Sequence, residues 1–283
     1  MDPRPARLLA PALSVIFLLL VVPVGFIVVY SFWLRTATGA DQPAFNLGNW
    51  YEVLTDPFYR FFLLQTLRIA FTTTIVCILL GYVPAYFIAS TRFKRKALLL
   101  LLLMLPFWIS YIIRTMSWIH VLGVTGALNS LLIWTGIIHK PLSLLYNQYT
   151  VVIGLVQYLL PFMILNVYVS LESIDANLTD AARSLGCTGW QAFREVTLPL
   201  SLPGLAAGSL LCFVLAGGTY ITPLILGGPR DAMFANLVFN AIITQLNWPL
   251  GSVLSLVLLI VLGAVVMLYN YFIGIGQLAK AFR

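Results

Sequence analysis

No aspartate or glutamate occurs between Asp56 and Glu172. Charged residues of every kind make up 9% of the 283 residues, where a soluble domain carries roughly 25%. A transporter or channel run by a proton or sodium gradient, the competing class, needs ionisable or coordinating groups inside its spans, so the missing carboxylates argue against it. Histidine is nearly absent as well. His120 and His139 stand apart and read as loop or interface residues, and Cys77, Cys187 and Cys212 are too scattered for a metal site, a disulfide framework or a nucleophile–base pair. The cysteines read as small buried hydrophobes, no metal or catalytic residue is assigned, and a membrane enzyme has no support. No Gly-x-x-x-x-Gly-Lys-Ser/Thr loop is present, so ATP is not held by this chain.

What the chain has instead is apolar length: 61% of its residues are hydrophobic and mean hydropathy is +0.98. Runs of roughly 20 apolar residues read as transmembrane helices. Six are expected, at about Leu8–Leu34, Leu67–Ala89, Ala97–Ile119, Thr150–Leu171, Leu202–Leu226 and Gly251–Ile273, in one all-α domain covering 1–283. Arg4 and Arg7 before the first run also fit a signal peptide, but the run is long enough to span and has no small-residue cleavage site, so an uncleaved anchor is expected. Three connections lie on the other side: about 35–66 with its aromatics, Gly123–Tyr149 with a short apolar stretch at Leu128–Ile138, and Gly227–Pro249 with a short helix from Phe234.

The net charge of +7 records orientation rather than nucleic-acid binding. Ten basic residues fall at one set of span ends: Arg4, Arg7, Arg92, Lys94, Arg95, Lys96, Arg183, Arg194, Lys280 and Arg283. Six, Arg35, Arg60, Arg68, Arg114, Lys140 and Arg230, fall at or near the other. By the positive-inside rule both termini face the cytoplasm, and so does the polar stretch at about 172–201.

That stretch carries the most information. Ile174–Leu185 can form a short helix capped by Asp175 or Asn177, with Ala181 and Ala182 small enough for close approach by a partner. Gly186 suits the left-handed position after a helix. A second short helix is expected at Thr188–Thr197, and Pro199 should end it and turn the chain into the fifth span. Asp180-Ala181-Ala182, three residues, Gly186, nine residues, and Val196-Thr197-Leu198-Pro199 together resemble the cytoplasmic coupling loop of permease subunits of ATP-binding-cassette importers. That family's pattern is Glu-Ala-Ala, three residues, Gly, nine residues, Ile-x-Leu-Pro; here Asp180 replaces Glu and Val196 replaces Ile. The resemblance assigns coupling to Asp180, Ala181, Ala182, Gly186, Leu198 and Pro199. It implies the type I importer permease fold in a bacterial cytoplasmic (inner) membrane, two ATPase subunits that hold ATP and Mg, a homologous second permease chain and an external substrate-binding protein.

Leu80-Gly81-Tyr82-Val83-Pro84-Ala85-Tyr86, Leu105-Pro106-Phe107-Trp108-Ile109-Ser110 with Arg114, Leu159-Leu160-Pro161-Phe162 and Gly217–Gly228 resemble spermidine/putrescine permeases of the first type. Relatives that import other small amines, opines or phosphonates share these motifs. Many family members carry an acidic residue where this chain has Thr219. The resemblance therefore leaves two alternatives: carboxylates from the partner chain, or a substrate that is not strongly cationic. Aromatic faces can carry a cation. Trp108, Tyr111 and Tyr220 are path candidates on that ground, beside the polar residues Gln157 and Asn166. Gln157 and Asn166 can equally bond neighbouring helices, and Arg114 either lines the path or snorkels.

Overall fold

The computed structural model describes residues 4–36, 38–91 and 93–281, with side chains described at 15–36, 38–91, 95–175 and 177–271. Arg92 and Arg283 of the charge pattern, and the side chains of Arg4, Arg7, Lys94 and Lys280, lie outside the described residues. In hydrocarbon every backbone N–H and C=O needs a partner within the chain, which drives apolar runs to helix. The helices are α1 (Arg4–Tyr30), α2 (Gly48–Thr55), α3 (Pro57–Ser90), α4 (Phe93–Met104), α5 (Tyr111–Leu122), α6 (Ala127–Trp134), α7 (Gln148–Glu172), α8 (Ala176–Ser184), α9 (Gly189–Ala192), α10 (Leu198–Gly217), α11 (Ile221–Leu226), α12 (Phe234–Phe239) and α13 (Trp248–Ala281). Among the described residues the only strands are the two-residue β1 (Leu34–Arg35) and β2 (Asp41–Gln42), antiparallel with Leu34 opposite Gln42 and Arg35 opposite Asp41.

Among the described residues, five stretches are long and apolar enough to cross a membrane: Pro57–Ser90, Tyr111–Trp134, Gln148–Glu172, Gly189–Gly217 and Trp248–Tyr271. The expected first span is α1, whose 27 residues reach about 40 Å at 1.5 Å per residue; its described side chains make up the shorter apolar helix Val15–Tyr30. The third expected span is corrected. It is not one helix from Ala97 to Ile119, because α4 stops at Met104, Leu105–Trp108 tightens into a 3-10 turn, and Ile109 is extended. Pro106 supplies no N–H and the chain leaves helical geometry, and the stretch long and apolar enough to cross lies at Tyr111–Trp134. The fifth expected span, Leu202–Leu226, is corrected too: α10 ends at Gly217, and the non-helical Gly218–Tyr220 separates it from α11. The turn expected at Pro199 is also corrected. Phe193–Thr197 is a π-helical turn that feeds straight into α10, with Pro199 just after it, so the proline falls at an irregularity in the helix rather than at its end.

The contacts divide the chain into two compact units. The first draws on Met1–Leu63 and Phe234–Gly263. In it the Trp50 indole N–H donates to Ser31 (3.3 Å) and Phe32 stacks on Phe45 (5.1 Å). Asn247 caps α13 by accepting the Leu250 N–H (3.1 Å).

The second unit draws on Leu64–Met233 and Ala264–Arg283, and its centre is the α7–α10 pair. A Cβ at Gly204 would run into Ser170 and the Asn166 carbonyl, and one at Gly208 would lie 2.9 Å from Met163 Sδ. The Cys212 thiol faces the Leu159 carbonyl at 3.7 Å. Partner numbers fall as α10 numbers rise, so the two helices are antiparallel and meet through glycines, the close packing that membrane helices favour. Gly154 brings α7 equally close to Thr222 and Leu226 of α11. Asn129, fully buried, donates to the Gly123 and Leu142 carbonyls and accepts the Leu142 N–H, each at 2.9 Å, which ties α6 to the following loop with every amide atom satisfied.

Gly208→Leu should force α10 off α7. The expected cost is about 2 kcal/mol or more, read as a lower unfolding temperature of the detergent-solubilised protein, with Gly263→Leu, where a Cβ meets nothing within 4 Å, leaving it within error.

Candidate functional site

The coupling segment is two capped helices held between the ends of α7 and α10. Asp175 Oδ1 accepts the Asn177 N–H (3.0 Å) to start α8. The turn after it closes at Gly186, whose φ of +93° is the left-handed region glycine enters without strain. Gly186 N–H donates to Arg183 and Cys187 N–H to Ala182 (3.0 and 3.1 Å), the backbone pattern of a glycine-terminated helix. Thr188 and Gln191 then form a reciprocal capping box that starts α9.

The outer surface of this segment is apolar as well as polar. Leu185 is 86% exposed and Trp190 69%, with Leu178 also exposed. Asp180, Ala181 and Gly186 are exposed, Ala182 is buried, and Leu198 and Pro199 are half-buried in the first turn of α10. Trp190 stacks on Phe193 (5.4 Å between centroids), and Phe193 meets Tyr82 and Tyr86 of α3 edge-on (5.8 and 5.5 Å). The Tyr82 hydroxyl shares a 2.8 Å hydrogen bond with Ser201 of α10. At the other root, Lys96 donates to both oxygens of Glu172 (2.9 and 2.7 Å), the last residue of α7, and lies 5.9 Å from the Tyr168 ring centre. Two polar roots and an aromatic brace make the segment a lever rather than a loop.

A second cluster forms where the helices break. Chain geometry changes at Pro106 between α4 and α5, and at Gly218–Tyr220 between α10 and α11. Tyr111 spans from one break to the other: its hydroxyl hydrogen-bonds Thr219 (3.2 Å) and Thr222, and its ring lies 4.5 Å from that of Tyr158. Arg114 is only 8% exposed. Its guanidinium lies 5.7 Å from the Tyr158 ring centre and 5.9 Å from that of Phe107, and Nη1 donates to the Pro106 carbonyl (3.0 Å), while Nε is buried without an acceptor. The chemistry on offer is π faces and hydroxyls around one fixed cation; none of these residues is acidic, and no metal-ligand set occurs among the described residues.

Tyr111, Arg114 and Thr219 are thus brought together, with Tyr220 half-buried at the same break. Gln157 accepts the Trp118 indole N–H (2.9 Å) and Asn166 donates to the Phe162 carbonyl of its own helix (2.9 Å), so both serve packing here. Trp108 is 76% exposed at the end of the 3-10 turn and shares no ring contact or hydrogen bond with the cluster. Sequence reasoning did not reach Phe193, Trp190, Ser201, Thr222 or the Lys96–Glu172 pair. Only Phe193 left a readable trace, an aromatic between two helix signals.

An exposed, braced segment thus lies at one end of the central helix pair of an apolar, helical protein with helices long enough to cross a membrane. The family described as binding-protein-dependent transport system inner membrane component matches residues 4–275. The spermidine/putrescine transport system permease protein PotB of Escherichia coli (strain K12) is 36% identical over 239 residues, 84% of this chain and 86% of that one. PotB of Haemophilus influenzae is 35% identical over 248 residues, 88% and 86%. The fold is that of a chain in the crystal structure of a bacterial ABC transporter involved in the import of the acidic polysaccharide alginate (TM-score 0.78, 16% identity, 96% of each chain). The chain belongs to the binding-protein-dependent permease family of the inner membrane.

Removing the brace should loosen the lever without unfolding the bundle. Each aromatic pair contributes about 0.5–1.5 kcal/mol, so Phe193→Ala should raise amide hydrogen exchange over 176–197 by tenfold or more. Exchange in α7 should stay at the level of the unaltered chain.

Proposed function

We propose that this permease moves spermidine or putrescine from an external binding protein into the cytoplasm by alternating access, driven by ATP hydrolysed elsewhere. The lever carries the reading: a short helix pair rooted on α7, α10 and α3 and presenting Leu178, Leu185 and Trp190 outward is built to be pushed. Two ATPase subunits, holding ATP and Mg, dock on the face around Asp180, Ala181 and Gly186, with both chain termini on the same cytoplasmic side. A homologous permease chain completes the path. Closure of the ATPase pair draws the two levers together and opens the path outward, and hydrolysis resets it.

The polyamine assignment follows the PotB relatives and the π surfaces of Tyr111 and Tyr158. Thr219, in place of an acid, leaves neutral oxygens at the α10–α11 break, so an ammonium there is held by rings and hydroxyls and by carboxylates of the second chain. That same residue favours a second reading, a less cationic amine, opine or phosphonate-type solute carried by the same machinery.

The deciding measurement is ATPase stimulation of the reconstituted complex with its binding protein across polyamines, neutral amines and anionic conjugates. Spermidine or putrescine should stimulate; silence with both and a response to another solute would replace the substrate and keep the importer. Gly186→Val, strained at φ +93°, should lower ATP-driven uptake at least tenfold, and unchanged uptake with normal assembly would remove the coupling role from this turn.

A further inference from the structure

Outside the lever and the break cluster, the first unit contains a cavity of about 440 Å³ lined by Phe26, Ile27, Tyr30, Trp33, Asp41, Trp248 and Ser252. Small-molecule pockets span about 300–1,000 Å³. Tyr30 is its central ring: it stacks on Trp33 at 4.3 Å and faces Trp248, tilted, at 6.5 Å. Four aromatic rings, Phe26 with these three, thus share the cavity wall with one carboxylate.

The carboxylate is under-used. Asp41 Oδ1 is buried and accepts no hydrogen bond. Its cross-strand neighbour Arg35 stands 3.9 Å away, too far for a hydrogen bond. The reason is visible in the guanidinium, whose Nη1 donates to the Leu246 carbonyl and Nη2 to the Gln245 carbonyl (2.9 Å). Arg35 is committed to a backbone segment that includes the left-handed Leu246 (φ +53°), and it tempers the charge of Asp41 without filling its oxygen. An unfilled buried acceptor is costly, and aromatic faces attract a cation.

The geometry points to a binding site for a primary alkylammonium group, with Asp41 as counter-ion and acceptor, and Tyr30, Trp33 and Trp248 as the ring walls. An anion is repelled by Asp41, and an uncharged apolar guest leaves its oxygen unfilled. A compact ammonium offers three donors and fits beside a guanidinium already in place. As a station for the transported amine, the site rests on the polyamine reading above. The ethanolamine headgroup of a lipid presents the same chemistry.

The test uses the purified permease–ATPase complex, without its binding protein, in bilayer discs of phosphatidylcholine, which has no primary amine. Equilibrium dialysis with labelled spermidine should show saturable binding. Asp41→Asn, which keeps shape and removes charge, should weaken it about tenfold or more, the size of one charge-assisted hydrogen bond. Trp248→Leu, at a half-exposed ring, should weaken it about threefold. Loss of binding in both variants with normal assembly supports the site. If spermidine binding is indifferent to both changes, but phosphatidylethanolamine discs stabilise the unaltered complex and not Asp41→Asn, the site stands and its occupant is the lipid amine. Indifference in both arms overturns the proposal. A complex that binds spermidine through Asp41 yet shows no ATP-driven polyamine uptake refutes the transport reading alone; uptake with neither spermidine nor the lipid amine depending on Asp41 refutes this site alone.

Discussion

Everything that gives this protein a working part depends on how closely α7 and α10 approach. Gly204 and Gly208 leave no room for a Cβ between the two backbones, and with lipid outside there is no hydrophobic gain to hold helices apart or together, only packing and hydrogen bonds. Because the pair is antiparallel, the end of α7 at Glu172 and the start of α10 at Leu198 lie at the same end of one rigid unit. The segment between them has both feet on that unit. A connection of this length anchored on separately moving helices would absorb a push by bending; on the proposed function, anchoring both ends on one unit lets it pass the push on.

The feet are chemically different, and that difference has a use. Lys96 and Glu172 form an ion pair in which the lysine is largely covered and the glutamate half-exposed, so solvent and salt screen it and its net contribution is small, about 0–1 kcal/mol. The Phe193 brace on Tyr82 and Tyr86 and the Tyr82–Ser201 hydrogen bond need no charge and lose nothing to salt. The stiff side of the lever is therefore the α9–α3 side, and the α7 side is the compliant one. On the proposed function, a force applied at Trp190 would act through the stack onto Phe193, which contacts Tyr82 and Tyr86 of α3.

How much of this could be read from the chain alone follows from the range of each interaction. Local rules found local features: Asp175 caps α8, Gly186 takes a positive φ, and Pro199 sits at a helix junction. Proline rules alone misplaced two boundaries. Pro84, Pro161 and Pro203 stay inside helices, while Pro106 breaks one, and nothing in the residue type separates them. The π-turn at Phe193–Thr197 has no sequence code of its own. Contacts such as Tyr82 with Ser201 or Tyr111 with Thr222 join residues more than a hundred positions apart, beyond any periodicity. The roles of Gln157 and Asn166 could not be decided in advance because a polar residue in a span serves packing or path equally well until its partner is known.

The placement of acids follows from what a path for cations must do. Bound too weakly, the solute does not enter; bound too tightly, it does not leave. A carboxylate about 4 Å from an ammonium contributes about 4 kcal/mol at the effective dielectric near a protein surface and far more in a dry interior, enough to turn a mid-span acid into a trap for a molecule with several charges. Ring faces and hydroxyls hold each charge by about 1–2 kcal/mol, which thermal motion overcomes. On the proposed function, Thr219 beside Tyr111 adds no acid at the break, and Arg114 beside Tyr158 adds a repulsive charge that opposes a long stay. Every acid of this chain lies at or before Asp56 or at or after Glu172. On the proposed function, weak attraction at the break then favours release, while Asp41 keeps its charge within the cavity of its own unit. A homologous chain that carries acids on its side of the path would make the pair asymmetric, one wall attracting and the other releasing, and that asymmetry is a physical reason for two different permease chains rather than two copies of one.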